Sequence, residues 1–142
     1  MSGEPPGGTV PTSPTLDEAL AMVAAARAHA AVLGVPMSFC VVDAAGHPVA
    51  FARGDGTALV SVDFAVGKAW TAAAWRMPTS DLMGIAQPGA PGFGINTVKP
   101  YVLATGGVPV LRDGVVVGGF GASGGLPEQD EACALAGVAA LA

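Results

Sequence analysis

Charge is scarce in this chain. Only 12% of its 142 residues are Asp, Glu, Lys or Arg, and six cations against eleven carboxylates leave a formal net charge of −5. No basic stripe interrupts that balance, so the electrostatic footprint of a nucleic-acid binder is missing. Histidine is limited to His29 and His47, and cysteine to Cys40 and Cys133. Their spacing fits no zinc site, and the chain has no P-loop, no nucleophile elbow and no HExxH pair. Long apolar runs are absent as well. None approaches the roughly 20 residues that a membrane-spanning helix needs, so no membrane partner is expected. The opening residues, MSGEPPGGTVPTSPT, lack a basic region leading into an apolar core, which excludes a secretion signal there. They read as a disordered tail over residues 1–14, ahead of one domain over 15–142. A cytoplasmic location is expected, with both cysteines as buried free thiols of a reducing compartment.

Small and apolar residues are abundant. The hydrophobic share is 51% and the mean hydropathy is +0.56. With so few charges to cover a surface, part of the apolar area is expected to lie between subunits of a homo-oligomer.

Local chemistry spells out the elements. Thr15 and Glu18 form a capping box. Leu16, Leu20, Val23, Ala26, Ala30 and Leu33 then recur at helical spacing until Gly34 and Pro36 end the helix. Met37 to Val42 reads as a strand, Asp43 to Gly46 as a turn, and His47 to Ala52 as the returning strand. Residues 58–77 read as a long alanine-rich helix ended by Pro78, with a short helix after it. The Gly- and Pro-rich segment 87–100 reads as a long loop, made ordered by Phe93 and Ile95. Tyr101 to Ala104 reads as a further strand. Val108 to Leu111 and Val115 to Phe120 form a hairpin around Asp113-Gly114, and Pro127 opens the last helix. Tight turns force antiparallel pairing, so the fold class is α+β: a single antiparallel sheet of about five strands covered by helices.

Few side chains carry chemistry. His47 follows a turn, where it could serve as a general base or ligate a metal-bearing cofactor; His29 lies off the apolar stripe of the first helix. Asp43, Arg53 and Asp55 flank the first hairpin, and the Arg53 guanidinium suits a carboxylate ligand. Lys68 stands among small and apolar neighbours, where an ammonium must find a partner. Asp63, Asp55 and Asp43 are the candidates, and anion binding or proton transfer is the functional alternative to a structural salt bridge. Trp70, Trp75, Met77, Met83 and Phe93 supply apolar walls, and Tyr101 follows the long loop. The candidates for catalysis are therefore His47, Lys68 and Asp43. Those for ligand binding are Arg53, Lys68, His47, Phe93 and Tyr101, gathered in one cleft between the first hairpin and the long helix.

Three segments carry a family resemblance: GVPMSFCVVDAAGHPVAFARGDG (34–56), GKAWTAAAWRMPTSDL (67–82) and GGVPVLRDGVVVGGFGASGGLPEQDEACALAG (106–137). Together they resemble the GlcG/HbpS-like family, which includes the C-terminal domain of PduO-type proteins. The resemblance implies a PAS- or profilin-like layered sandwich, often assembled into oligomers. It implies a small-molecule-binding protein with haem or a related tetrapyrrole as ligand and cofactor, but it maps no haem ligand onto a residue of this chain; imidazole chemistry alone makes His47 or His29 the candidate. Lys68 matches the lysine of the family's GKAxTA-like motif. Two alternatives stand beside this reading. One is a cofactor-independent enzyme using acid/base chemistry on a small carbonyl or carboxylate metabolite. The other is an assembly module that binds a partner protein.

Overall fold

The structure is a computed structural model that describes residues 13–141. Most of the expected tail lies outside the described residues; of its end, Ser13 and Pro14 are described, and Pro14 is buried. The elements in chain order are α1 (Leu16–Leu33), β1 (Ser38–Asp43), β2 (Pro48–Arg53), α2 (Val60–Trp75), α3 (Thr79–Ile85), a 3-10 turn (Ile95–Thr97), β3 (Gly107–Arg112), β4 (Val115–Ser123) and α4 (Pro127–Ala139).

The strands form one antiparallel sheet in the order β2-β1-β4-β3. Alternation along β1 divides its side chains between two layers. Phe39 and Val41 face a core shared with α1 and α4; Cys40 and Val42 face α2. The result is a sheet sandwiched between α1 and α4 on one side and α2 on the other. Among the described residues, no helix is long and apolar enough to cross a membrane.

The sheet has four strands where about five were expected. The segment from Tyr101 to Ala104 is not a strand, because side-chain hydroxyls satisfy its backbone instead. Val102 N–H donates to Thr71 Oγ1 at 3.0 Å. Thr79 Oγ1 donates to the Ala104 carbonyl at 2.7 Å and accepts from Gly107 N–H at 3.0 Å. The long helix is also shorter than expected, ending where Arg76 takes a left-handed conformation ahead of Pro78.

The apolar stripe of α1 is rotated from its expected position. Leu16, Leu20 and Leu33 are exposed, and the buried face is Ala19, Met22, Val23, Ala26 and Ala30. Close approach explains this. Helix α4 meets α1 through Gly137, where a Cβ would stand 3.1 Å from the Met22 carbonyl and 2.8 Å from the Phe120 ring. Leucines do not fit a contact that tight, so the alanines take it.

Glycine performs the same service for α2. Gly119 and Gly121 of β4 lie beneath it, and a Cβ on either would overlap the carbonyls of Ala69 and Ala65 respectively. The helix therefore rests on strand backbone. That low seat brings Lys68 against the end of β4.

Two local expectations hold in detail. Asp113 and Gly114 both have positive φ, as a two-residue hairpin turn demands. The Thr15–Glu18 capping box is present, and the Glu18 carboxylate also takes a bidentate pair of bonds from Arg112 of β3, at 3.1 and 2.8 Å. The Arg112 guanidinium, helped by the Thr15 backbone, holds the Glu18 carboxyl at about 2, below its ordinary 4.5. A depressed folded-state value means stability present above pH 4.5 and lost as pH falls toward 2. Glu18→Gln should therefore lower Tm at pH 7, and the gap from wild type should close as pH approaches 2. A gap that is constant with pH would show that the carboxylate charge contributes nothing.

Candidate functional site

Helical spacing places Ser61, Phe64, Ala65 and Lys68 along adjoining parts of one side of α2. Phe64, at the edge, is partly exposed; Ser61, Ala65 and Lys68 are buried. Lys68 is 2% exposed. Its ammonium donates to Asp130 Oδ2 at 2.9 Å and to the Ala122 carbonyl at 3.0 Å. Asp130, in the first turns of α4, is 4% exposed, and its other oxygen accepts the Gly125 N–H at 2.8 Å. Gly106 closes over the pair: its φ is +129°, and a Cβ there would stand 2.9 Å from both Lys68 Nζ and Asp130 Cβ.

This buried ion pair lines a cavity of about 390 Å³. The remaining wall is mainly apolar, from Val60, Phe64, Met83, Leu103 and Pro127. Polar groups are few and local. The Ser61 hydroxyl accepts from Thr57 at 3.0 Å and meets the Ser38 hydroxyl at 2.9 Å. Ser123 lines the wall beside it. Thr105 on the opposite side donates to the Met83 sulfur at 3.4 Å. An apolar hollow with a few convergent polar groups is the usual form of a small-molecule site.

Of the catalytic and binding candidates singled out from sequence, only Lys68 lies here, joined by Met83 from the set of expected apolar walls. Its partner is none of the three expected aspartates but Asp130, 62 residues further on. Asp130 reads in sequence as a carboxylate complementing a helix dipole, and nothing in its spacing links it to Lys68. Ser61 and Ser123 carry no signal in sequence for the same reason: only the fold brings them to the cavity.

The expected single cleft does not form. His47 sits on the β1–β2 turn, with its side chain 81% exposed and its Nδ1 3.9 Å from Asp43 Oδ2. Asp43 caps that turn, accepting from the N–H groups of Ala45 and His47, both at 2.9 Å. Asp43 pairs with Gly118 at one end of β1, whereas Ser38 pairs with Ser123 at the other, beside the cavity. Six residues of strand separate those ends by roughly 17 Å. Arg53 contributes instead to a second cavity of about 620 Å³, between α1 and the first hairpin, whose wall also includes Arg27, Asp55, Leu20 and Phe39. Phe93 is 67% exposed and lines neither cavity, so it closes neither. His29, half-buried on α1, lines neither. Tyr101 stacks on Trp70 at 5.7 Å and meets the edge of Trp75 at 5.5 Å, in an aromatic cluster that Lys99 caps from 4.1 Å above Trp70.

Both cysteines are buried and free. Burial raises the Cys40 thiol to about 11, and burial with the Asp130 charge nearby does the same to Cys133. Neither offers a thiolate at neutral pH. Among the described residues, no group of three or more His, Cys, Asp and Glu side chains could hold a metal ion.

The comparisons with known proteins agree with this architecture. The model of the haem degrading protein HbpS-like family matches residues 15–139, and the chain belongs to that family. It is 37% identical over 118 residues to an uncharacterised 15.0 kDa protein encoded between dhaT and dhaS in Citrobacter freundii, covering 82% of this chain and 83% of that one. It is 36% identical over 135 residues to the corrinoid adenosyltransferase PduO of Salmonella typhimurium, covering 94% of this chain but only 40% of that protein. Among solved structures, the PduOC:heme complex superposes with a TM-score of 0.86 at 35% identity, covering 90% of this chain and 94% of that one.

Proposed function

We propose that this chain is a small-molecule-binding protein whose ligand site is the Lys68–Asp130 cavity, taking a compact ligand that presents a carbonyl or carboxylate oxygen to the Lys68 ammonium. One observation carries this. Lys68 is buried at an apolar cavity and has two acceptors, among the described residues, for its three N–H bonds. A buried N–H without an acceptor costs free energy, and a ligand oxygen would recover it. The same geometry would let Lys68 polarise a carbonyl, as the acid/base enzyme alternative requires.

Haem is a second reading, favoured by the family and by the haem complex of a relative 35% identical. Haem needs a flat apolar slot, partners for two propionates and, in most proteins, an axial ligand. The Lys68 cavity has no imidazole, thiolate or phenolate on its described wall; Met83 is its one soft ligand. The larger cavity suits the macrocycle better, since its wall is largely apolar and includes Arg27 and Arg53 as cations for propionates. When bound, haem would supply redox and oxygen chemistry; the protein would contribute apolar cover and charge. Self-association is part of the proposal too, because Leu59, Val60, Phe64, Phe93 and Val98 leave apolar surface exposed around α2 and the long loop.

Calorimetric titration with small aldehydes, amides and carboxylates tests the first reading. Binding that disappears in a folded Lys68 variant is the expected result, and binding indifferent to Lys68 would reject it. Hemin titration tests the second: a sharpened Soret band, lost in Arg27→Ala/Arg53→Ala but kept in the Lys68 variant, puts haem in the larger cavity. Light scattering on the same samples should give a mass above the monomer's; a monomer at micromolar concentration would remove the assembly claim.

A further inference from the structure

We infer that the ligand of the Lys68 cavity is uncharged and carries two acceptor oxygens separated by an apolar link, with the Ser61 hydroxyl as donor to the second one. This deepens the cavity reading and rests on it. The argument follows the hydrogens of three hydroxyls. Thr57 donates its hydrogen to Ser61 at 3.0 Å. Ser38 is fully buried, and among the described residues its side chain has one hydrogen-bond neighbour, Ser61 at 2.9 Å. Either hydroxyl could donate in that pair, but Ser38 lines neither cavity and Ser61 lines one, so the arrangement that seals off no hydrogen has Ser38 donating to Ser61 as well. Ser61 oxygen thus accepts twice, which fills both lone pairs. Its own hydrogen is left over. Ser61 is 1% exposed and lines the cavity, so that hydrogen has only the cavity to serve.

The cavity therefore presents two donors with no oxygen acceptor among the described residues, the Ser61 O–H and the third Lys68 N–H, whose ammonium has the Phe64 ring centroid 5.9 Å away. They come from residues seven positions apart on α2, whose Cα atoms are separated by about 10 Å along the axis. The two donors belong to different turns of the helix, so each calls for an acceptor of its own. The same wall includes Phe64 and Leu103, which suit an apolar link.

Charge balance selects the chemical class. Lys68 is already neutralised by Asp130 at 2.9 Å, and Ser61 is neutral. An incoming anion would be stripped of water beside the Asp130 carboxylate with no cation of its own. Two carbonyl-type oxygens satisfy both donors without adding charge.

Three four-carbon probes separate these terms: succinamide, neutral with two acceptor ends; butyramide, neutral with one; and succinate, a dianion. Dissociation constants would be measured by calorimetry on the full chain. Wild type should bind succinamide about five- to tenfold tighter than butyramide, the worth of one neutral hydrogen bond, and succinate weakest. Ser61→Ala should bring succinamide down to the butyramide value and leave butyramide unchanged. Ser38→Ala should keep the wild-type preference, since it removes a donor to Ser61 and not the hydrogen Ser61 gives. Loss of the preference in Ser38→Ala but not in Ser61→Ala would overturn the assignment, as would equal weakening of both amides in Ser61→Ala. Succinate binding tightest would overturn the uncharged class. Should no probe bind, or all bind unchanged in a folded Lys68→Met/Asp130→Leu variant, the cavity reading itself falls and this inference with it.

Discussion

Lys68→Met should destabilise the chain by about 3–5 kcal/mol, because it strands the Asp130 carboxylate in a buried site with its cation gone. The remaining bond from Gly125 N–H satisfies one oxygen only. The Ala122 carbonyl also loses its ammonium donor. Replacing both partners is a different experiment. Lys68→Met/Asp130→Leu removes both charges together, and a buried pair exchanged for apolar side chains is often neutral or better. The double variant should therefore recover most of the loss while binding no ligand through Lys68. Urea denaturation measures both. A single variant costing under about 1 kcal/mol would mean that water reaches Asp130 and that the pair is not the sealed contact described. A double variant no more stable than the single would mean that Lys68 supports the fold through packing alone.

Gly121→Ala should be at least as damaging, with a loss of about 3 kcal/mol or more. The added methyl overlaps the Ala65 carbonyl, and helix backbone cannot swing aside as a side chain can. The helix must lift from the sheet, carrying Lys68 away from the Ala122 carbonyl next door. Gly114→Ala provides the control. Gly114 sits at φ +78° with nothing within 4 Å of a built Cβ, so only backbone strain of about 1–2 kcal/mol opposes it. Melting curves of the two variants should therefore separate clearly, with Gly121→Ala lower. Equal losses would show that the stripe's packing is slack.

The contrast between these glycines explains what could be read from the chain directly. Gly114 follows Asp113 between two β-branched runs, and that local grammar is enough to place the β3–β4 hairpin. The capping box at Thr15 and the stop at Pro78 are local in the same sense. Gly121 is legible as a glycine in a strand but not as a helix seat, because Ala65 lies 56 positions earlier. The same limit governs the site. Lys68 stands out by its apolar neighbourhood, since a buried ammonium needs a partner whatever the fold. Which partner depends on where α4 starts relative to β4, and short-range pattern carries no trace of that. His47 and Arg53 looked like neighbours of Lys68 because the helix following β2 must fold back over the sheet. It does, but His47 belongs to the far end of the strand pair, and Arg53 contributes to the cavity between α1 and the hairpin. The leucines of α1 misled for a further reason: hydrophobicity ranked them for burial, whereas the interface was selecting for smallness.

A helix seated directly on strand backbone has a mechanical consequence. Ala65 and Ala69 of α2 rest on the backbone of Gly119 and Gly121 with no strand side chain between them, so helix and strand form one closely packed plate. Lys68 and the Ala122 carbonyl both belong to that plate, joined by a 3.0 Å hydrogen bond. On the proposed reading, guests of different girth would be accommodated by the opposite wall, where Thr79 holds the Ala104 carbonyl and Thr105 holds the Met83 sulfur by one hydrogen bond each. The site would then resemble a vice with one firm jaw: Lys68 and Ser61 stand on the closely packed side, and the fit is adjusted from the other.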